Sequence, residues 1–275
     1  MADDITIIKP TSGWVALNLR DLWKYRELIY FLIWRDIKVR YKQAVLGVGW
    51  AIIQPILTMV IFSVIFGKFG KLPTDQSLPY PLFTFAALLP WGLFANALQR
   101  SGTSLVGSAH LITKIYFPRL IIPISAVVGG IVDFGISFVI LLGMMAFYKV
   151  YPTWNMLWII PFTLLTLITA LAVGLWLSAL NVRYRDVQQM IPFLVQAWMY
   201  ASPVAYSAKI ITERSWQLIY GLNPLSGIIQ GFRWAMLGGT PPGELMWISS
   251  GVMVILFVSG LYYFRRMEKT FADTV

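Results

Sequence analysis

Cysteine is absent from the 275 residues, and histidine occurs once, at His110. No disulfide framework or thiolate nucleophile is therefore available, and a lone histidine without a second ligand excludes a histidine-based metal centre. Charge is scarce as well: Asp and Glu together number 12, and charged residues make up 12% of the chain. A phosphate-binding loop is also missing. Gly67-Lys68 and Gly70-Lys71 come nearest, but the G-x-x-x-x-G-K-[ST] spacing fails and Leu72 stands where a hydroxyl is required. The chain thus has no nucleotide-hydrolysis site of that type, and the sequence assigns no catalytic residue. The start, Met-Ala-Asp-Asp, is acidic and leads into no apolar run, so a cleavable signal peptide is not expected.

What fills the chain instead is apolar. Hydrophobic residues make up 58% and mean hydropathy is +0.69, which together exclude an ordinary soluble protein and predict an all-α integral membrane protein. The net charge of +10 would suggest nucleic acid in a soluble chain. Here the cations cluster at the ends of apolar runs, where anionic lipid and the positive-inside rule account for them, and no nucleic-acid partner is expected.

The organising stretch joins Arg35, Lys38, Arg40 and Lys42 to a run from Ala44 onward that stays uncharged through Phe66. About 20 apolar residues at roughly 1.5 Å each span the hydrocarbon layer, so this is a cationic collar leading into a first span at about 46–67. Before it, residues 1–18 read as a loose lead-in, and residues 19–39 mix Leu22, Trp23 and Phe31 with Arg20, Lys24 and Arg26, as an amphipathic helix on the membrane interface does. The expected layout is one transmembrane domain over 1–275, with residues 1–42 cytoplasmic and interfacial and residues 43–275 a six-span bundle. Span 2 (about 82–98) is expected to be interrupted by Pro90 and to close at Gln99-Arg100, with a short cytoplasmic helix in 101–118. Spans 3 and 4 follow at about 121–148 and 156–180. Residues 191–205, bracketed by Pro192 and Pro203, make a short fifth span. Residues 207–239, broken at Asn223-Pro224 and by glycines, read as two re-entrant helices dipping in from outside, and the last span covers about 245–264. Basic residues fall mainly in 1–45, 98–120, 181–189 and 265–275, which predicts both termini in the cytoplasm; the opposite side holds only Lys68, Lys71, Lys149, Lys209, Arg214 and Arg233.

Few residues could carry chemistry. Asp133 is the one carboxylate inside a span, and no other span offers a titratable partner; burial at that depth predicts an interior hydrogen-bonding role. Aromatics are 15% of the chain and many sit near span ends. Those on the broken region are set apart, because flat rings beside a wet path suit the C–H faces of sugars. Trp50, Trp198, Tyr200, Tyr206, Trp216, Tyr220, Phe232 and Trp234 are the expected lining of a polymer channel.

Several runs, taken in order, resemble the permeases of ABC exporters that move polysaccharides such as O-antigen, capsule and teichoic acid. They are Arg40-Tyr41-Lys42 with Leu46-Gly47, Trp50 and Pro55; Lys114-Ile115-Tyr116-Phe117-Pro118-Arg119 with Pro123; Val182-Arg183-Tyr184-Arg185-Asp186-Val187; Ser202-Pro203-Val204-Ala205-Tyr206; and Asn223-Pro224-Leu225. The resemblance implies a homodimer in the bacterial inner membrane, paired with two separate ATP-binding subunits that hold ATP and Mg, and a channel for an undecaprenyl-linked polysaccharide. It further implies that the connection between spans 2 and 3 couples to the ATPase through Ser101, His110, Lys114, Tyr116, Phe117 and Arg119. A cytoplasmic gate is expected at Arg40, Tyr41, Lys42, Arg183, Arg185 and Asp186. The competing readings are a proton-coupled secondary carrier, for which Asp133 alone is thin support, and a membrane-embedded glycan-processing enzyme. For the latter, the short external segments offer only Asp75, Glu213 and Glu244.

Overall fold

The computed structural model describes residues 19–42, 47–74, 78–207, 213–268 and 271. The lead-in expected over 1–18 lies outside them, as do Leu46, Asp75 and Lys209. Among the described residues the chain is helical and has no strand. The helices are α1 (Leu19–Lys24), α2 (Arg26–Lys42), α3 (Gly47–Phe62, continued as a π-helix over Ser63–Phe69), α4 (Tyr80–Gly107), α5 (Ala109–Lys114), α6 (Ile121–Val128) and α7 (Ile131–Phe147). A 3₁₀ turn (Trp154–Trp158) then leads into α8 (Ile159–Arg183), followed by α9 (Val187–Tyr200), α10 (Arg214–Gly221), α11 (Pro224–Leu237) and α12 (Glu244–Glu268). Among the described residues, five stretches are long and apolar enough to cross a membrane: Gly49–Phe69, Tyr80–Gly107, Ile121–Phe147, Trp154–Arg183 and Glu244–Glu268. Helix α9, at 14 residues, falls short of that length; it starts at Val187, runs through Pro192, which was expected to bracket it, and ends at Tyr200 ahead of Pro203.

Helix α4 is the axis. It packs on α3, α6, α7, α8, α9 and α11, and the most apolar part of its span is 83% buried, against 6% for the span that begins at Gly49. Pro90 does not interrupt it. The helix runs through Pro90 and on to Gly107, well past the expected close at Arg100, because neighbours on every side hold its backbone in place where water or lipid would not. The connection after it is correspondingly short, with α5 alone forming the separate helix expected there.

Close approach explains the tightest seam. A Cβ on Gly174 of α8 would lie 2.4 Å from Oγ of Ser101 on α4, so only glycine lets these two helices meet. The third span is interrupted at Gly129-Gly130: α6 ends at Val128 and α7 begins at Ile131.

Two apolar clusters order the molecule along its axis. The larger lies among α4, α7, α8, α9 and α11 and includes Phe85, Phe94, Phe162, Leu225 and Phe232. The smaller gathers Leu32 of α2, Leu105 at the end of α4, Ile112 of α5, Phe117, Ile121 of α6, Ala179 and Val182 of α8, and Phe264 and Phe271. It therefore marks one end of the bundle, where α2, α5 and the last turns of α4, α8 and α12 converge. That end carries the basic collars. Arg119 closes it by donating to the Glu268 carbonyl.

Candidate functional site

Polar side chains recur inside the apolar helices at one-turn spacing: Gln54 and Thr58 on α3, Asn96, Gln99 and Arg100 on α4, Asp133 and Ser137 on α7. Residues four apart share a helix face, and the fold turns these three faces toward one another. Together with Gln196 of α9 they line a cavity of about 690 Å³ among α3, α4, α7 and α9, with Trp50, Trp91, Phe85 and Phe134 as its aromatic wall. Pro55 and Pro192 also line it. Each lacks the amide that would close the preceding turn, leaving the Ala51 and Gln188 carbonyls without that helical donor.

The floor of the cavity is an ion cluster. Oδ2 of Asp133 accepts from Nη1 of Arg40 at 2.5 Å and from Nη2 of Arg100 at 2.7 Å, while the Tyr41 hydroxyl donates to Oδ1. The cost of a carboxylate at this depth is met by two cations and a hydroxyl. The expected hydrogen-bonding role of Asp133 is what the geometry provides. Its supposed lack of charged partners is corrected: Arg100 lies inside the long α4 span, and Arg40 reaches it from the last turn of α2. Burial, and next its bond to Asp133, hold the Tyr41 hydroxyl above the usual phenol range, so it stays a donor.

Of the aromatic residues expected along a channel, Trp50 alone lines this cavity. Phe232 is fully buried, with its ring edge-on to Phe134 at 6.0 Å and tilted on Phe162 at 6.1 Å, so it packs the core and offers no face to a passing chain. Trp198 is also structural, its ring edge-on to Phe94 at 5.1 Å and its N–H bonded to Asn223. Trp234 lies 6.1 Å from Trp158, its ring tilted against that tryptophan. Tyr220 donates to the Tyr206 hydroxyl at 2.8 Å, and Tyr206 to the Tyr200 carbonyl at 3.4 Å, so these three form one network at the end opposite the basic collars. Tyr200 and Trp216 are exposed.

The remaining positions divide by exposure. Lys42, His110, Lys114, Tyr116, Arg183, Arg185 and Asp186 are exposed at the basic end, where the Arg183 guanidinium stands 5.4 Å from the Tyr184 ring. Ser101 and Phe117 are buried, at 0% and 6%, and half-buried Arg119 is engaged with Glu268.

Sequence reasoning counted Arg233 of α11 only among the basic residues of the outer side and gave it no role. It is 6% exposed and donates to the carbonyls of Val204 at 2.8 Å, Tyr206 at 3.1 Å and Phe83 at 3.4 Å, with its guanidinium 3.6 Å over the Phe83 ring. The turn after α9 is thus pinned to the start of α4, and Tyr80 adds a bond to the Ala205 carbonyl. A cation within an apolar helix was its signal.

A bundle of long apolar helices around a chamber lined with polar side chains is the architecture of a multi-pass membrane protein. The chain belongs to the ABC-2 type transporter family, whose model matches residues 27–237. It is 28% identical over 260 residues to an O-antigen export system permease protein RfbA of Myxococcus xanthus, covering 94% of this chain and 98% of that one. It is 30% identical over 250 residues to an RfbA of Klebsiella pneumoniae, covering 90% and 94%. The polysialic acid transport protein KpsM of Escherichia coli is more distant, at 22% over 245 residues, with 86% and 92% covered.

Proposed function

We propose that this chain is the channel-forming permease of an ATP-driven exporter that moves a lipid-linked, O-antigen-like polysaccharide across the bacterial inner membrane. The observation that carries the reading is its end-to-end similarity to two O-antigen export permeases, with no large segment of either left unmatched. Membership of the ABC-2 family favours it over a proton-coupled carrier. In this reading ATP and Mg bind a separate subunit, and two copies of that subunit serve two copies of this chain. The basic end faces the cytoplasm, placing both termini there, with α2 on the membrane interface. Helix α9 makes the short fifth of six crossings, and α10 and α11 dip in from outside. The exposed edge of α5, with His110 and Lys114, and Tyr116 just beyond it meet the ATPase. Lys42, Arg183, Arg185 and Asp186 flank the cytoplasmic mouth, and the cavity walled by Trp50 receives the polymer. The test is to purify the chain with the ATP-binding subunit encoded beside it and reconstitute both in proteoliposomes. Co-elution and ATP-dependent movement of lipid-linked polymer are expected; stable co-elution with ATP hydrolysis but no polymer movement would remove the reading.

A further inference from the structure

The floor of the cavity holds more positive charge than its carboxylate neutralises. Two guanidinium groups, Arg40 and Arg100, meet one Asp133, and no other acid is among the described lining residues. One positive charge is left over in a chamber whose walls are otherwise neutral. Both guanidinium groups bond to the same oxygen, Oδ2, so they converge on a single point. Tyr41 supplies a hydroxyl donor beside it. Nη1 of Arg100 is buried with no hydrogen-bond partner, a donor still lacking its acceptor. Neutral amides stand around this floor, from Gln54, Asn96, Gln99 and Gln196, and about 690 Å³ of space lies above it. Converging forks of this kind match a planar or tetrahedral oxyanion better than a neutral sugar.

We propose that Arg40, Tyr41 and Arg100 form an oxyanion site at the floor of the cavity, with Asp133 as its resident counter-ion, and that its ligand is a phosphoryl or carboxylate group which displaces Asp133. Asp133 occupies the place the ligand takes, so it competes for the same donors. It is also the link from α7 to the last turn of α2. A bound oxyanion therefore frees that turn, and ligand occupancy is passed to the helix at the basic end. The inference rests on the export reading only for what carries the oxyanion to the site; binding is measured without transport.

The experiment uses the full chain in phosphatidylcholine nanodiscs, titrated calorimetrically with inorganic pyrophosphate, with glucuronate, and with mannose as the neutral control. A second set of nanodiscs contains a polyprenyl phosphate and no soluble anion, with its thermal unfolding compared to the neutral discs. Saturable binding of an oxyanion and none of mannose is expected. Arg100→Gln should weaken it about tenfold, since it removes a charged donor. Asp133→Asn should tighten it about tenfold, because the internal competitor is gone. A purely structural ion cluster predicts the reverse for Asp133→Asn. Where that variant does not fold, the wild type and Arg100→Gln decide: pyrophosphate should raise the unfolding midpoint of the first and not of the second. A response confined to the polyprenyl phosphate discs assigns the site to a lipid headgroup, and one confined to soluble anions assigns it to a group on the polymer. Absence of saturable binding in every arm, equal binding in Arg100→Gln, or weaker binding in folded Asp133→Asn would overturn the site. Oxyanion binding without polymer movement would leave the site standing and remove the export reading alone.

Discussion

The indole N–H of Trp198 donates to Oδ1 of Asn223 at 3.0 Å, joining the end of α9 to the start of α11. The same oxygen accepts from the Leu225 amide at 3.1 Å and caps α11, while Nδ2 of Asn223 donates to Ser202 Oγ at 2.9 Å and to the Ala201 carbonyl at 3.2 Å. One amide therefore serves a helix cap, a turn and a tryptophan together. Asn223→Ala should cost about 2–3 kcal/mol, the lost cap plus an unsatisfied indole donor, read as a lower unfolding midpoint in detergent. Trp198→Phe keeps the packing on Phe94 and should cost less than half of that. Equal losses in the two variants would mean that Asn223 is not the hub.

Tyr116 and Phe117 are neighbours with opposite surroundings: Tyr116 is 74% exposed and Phe117 is 6% exposed within the apolar cluster at the basic end. Phe117→Asp buries a charge and should prevent accumulation of folded protein. Tyr116→Asp should leave folding intact and reduce ATP hydrolysis stimulated by the complex. Normal stimulation in Tyr116→Asp would move the coupling contact away from this segment.

The chain has no cysteine of its own, so single cysteines report sidedness without background. Lys42, Lys114 and Arg185 are exposed at the basic end, and Lys149 is exposed at the other. An impermeant maleimide should label cysteine at the first three in inside-out vesicles only, and at Lys149 in intact spheroplasts only. A mixed pattern among the first three would break the shared-end arrangement.

Gly174→Ala places a Cβ 2.4 Å from Ser101 Oγ and 2.7 Å from Ser101 Cβ. Overpacking of this kind costs about 1–3 kcal/mol. The Oγ of Ser101 is buried without a partner, so Ser101→Ala alone should be neutral or slightly stabilising. Ser101→Gly should restore most of what Gly174→Ala loses. Additive losses in the double variant, measured by unfolding in detergent, would place the strain elsewhere.

The span positions were legible because charge and hydropathy alternate so sharply along the chain: Arg40, Arg119, Arg183 and Arg265 all stand where apolar runs begin or end. Pro90 misled because proline breaks a helix in water, whereas inside a bundle the surrounding helices hold the backbone on course. Asp133 looked solitary because its partners lie 93 and 33 residues away, and no local spacing reveals contacts that only the fold creates. Phe232 and Trp198 share the composition of a sugar-binding track, but ring type says nothing of which side of a helix faces a core. The polar face of the cavity was in fact written in the sequence, at Gln54 and Thr58, Asn96 and Arg100, and Asp133 and Ser137, as polar residues four apart. Arg233 was given no role because it was counted among the basic residues of the outer side, and the carbonyls it binds, at Phe83, Val204 and Tyr206, are brought to it only by the fold.

The cluster at the basic end draws on Leu32, from the early part of the chain, and on Phe271, whose fully buried ring stands 5.3 Å from that of Phe264. During synthesis the first of these emerges long before the last. That core cannot close until Phe271 has been synthesised, so Leu32 on α2 stays without one of its cluster partners over the whole of that interval. Stopping the chain ahead of Phe271 would leave every span present and the basic end unfinished.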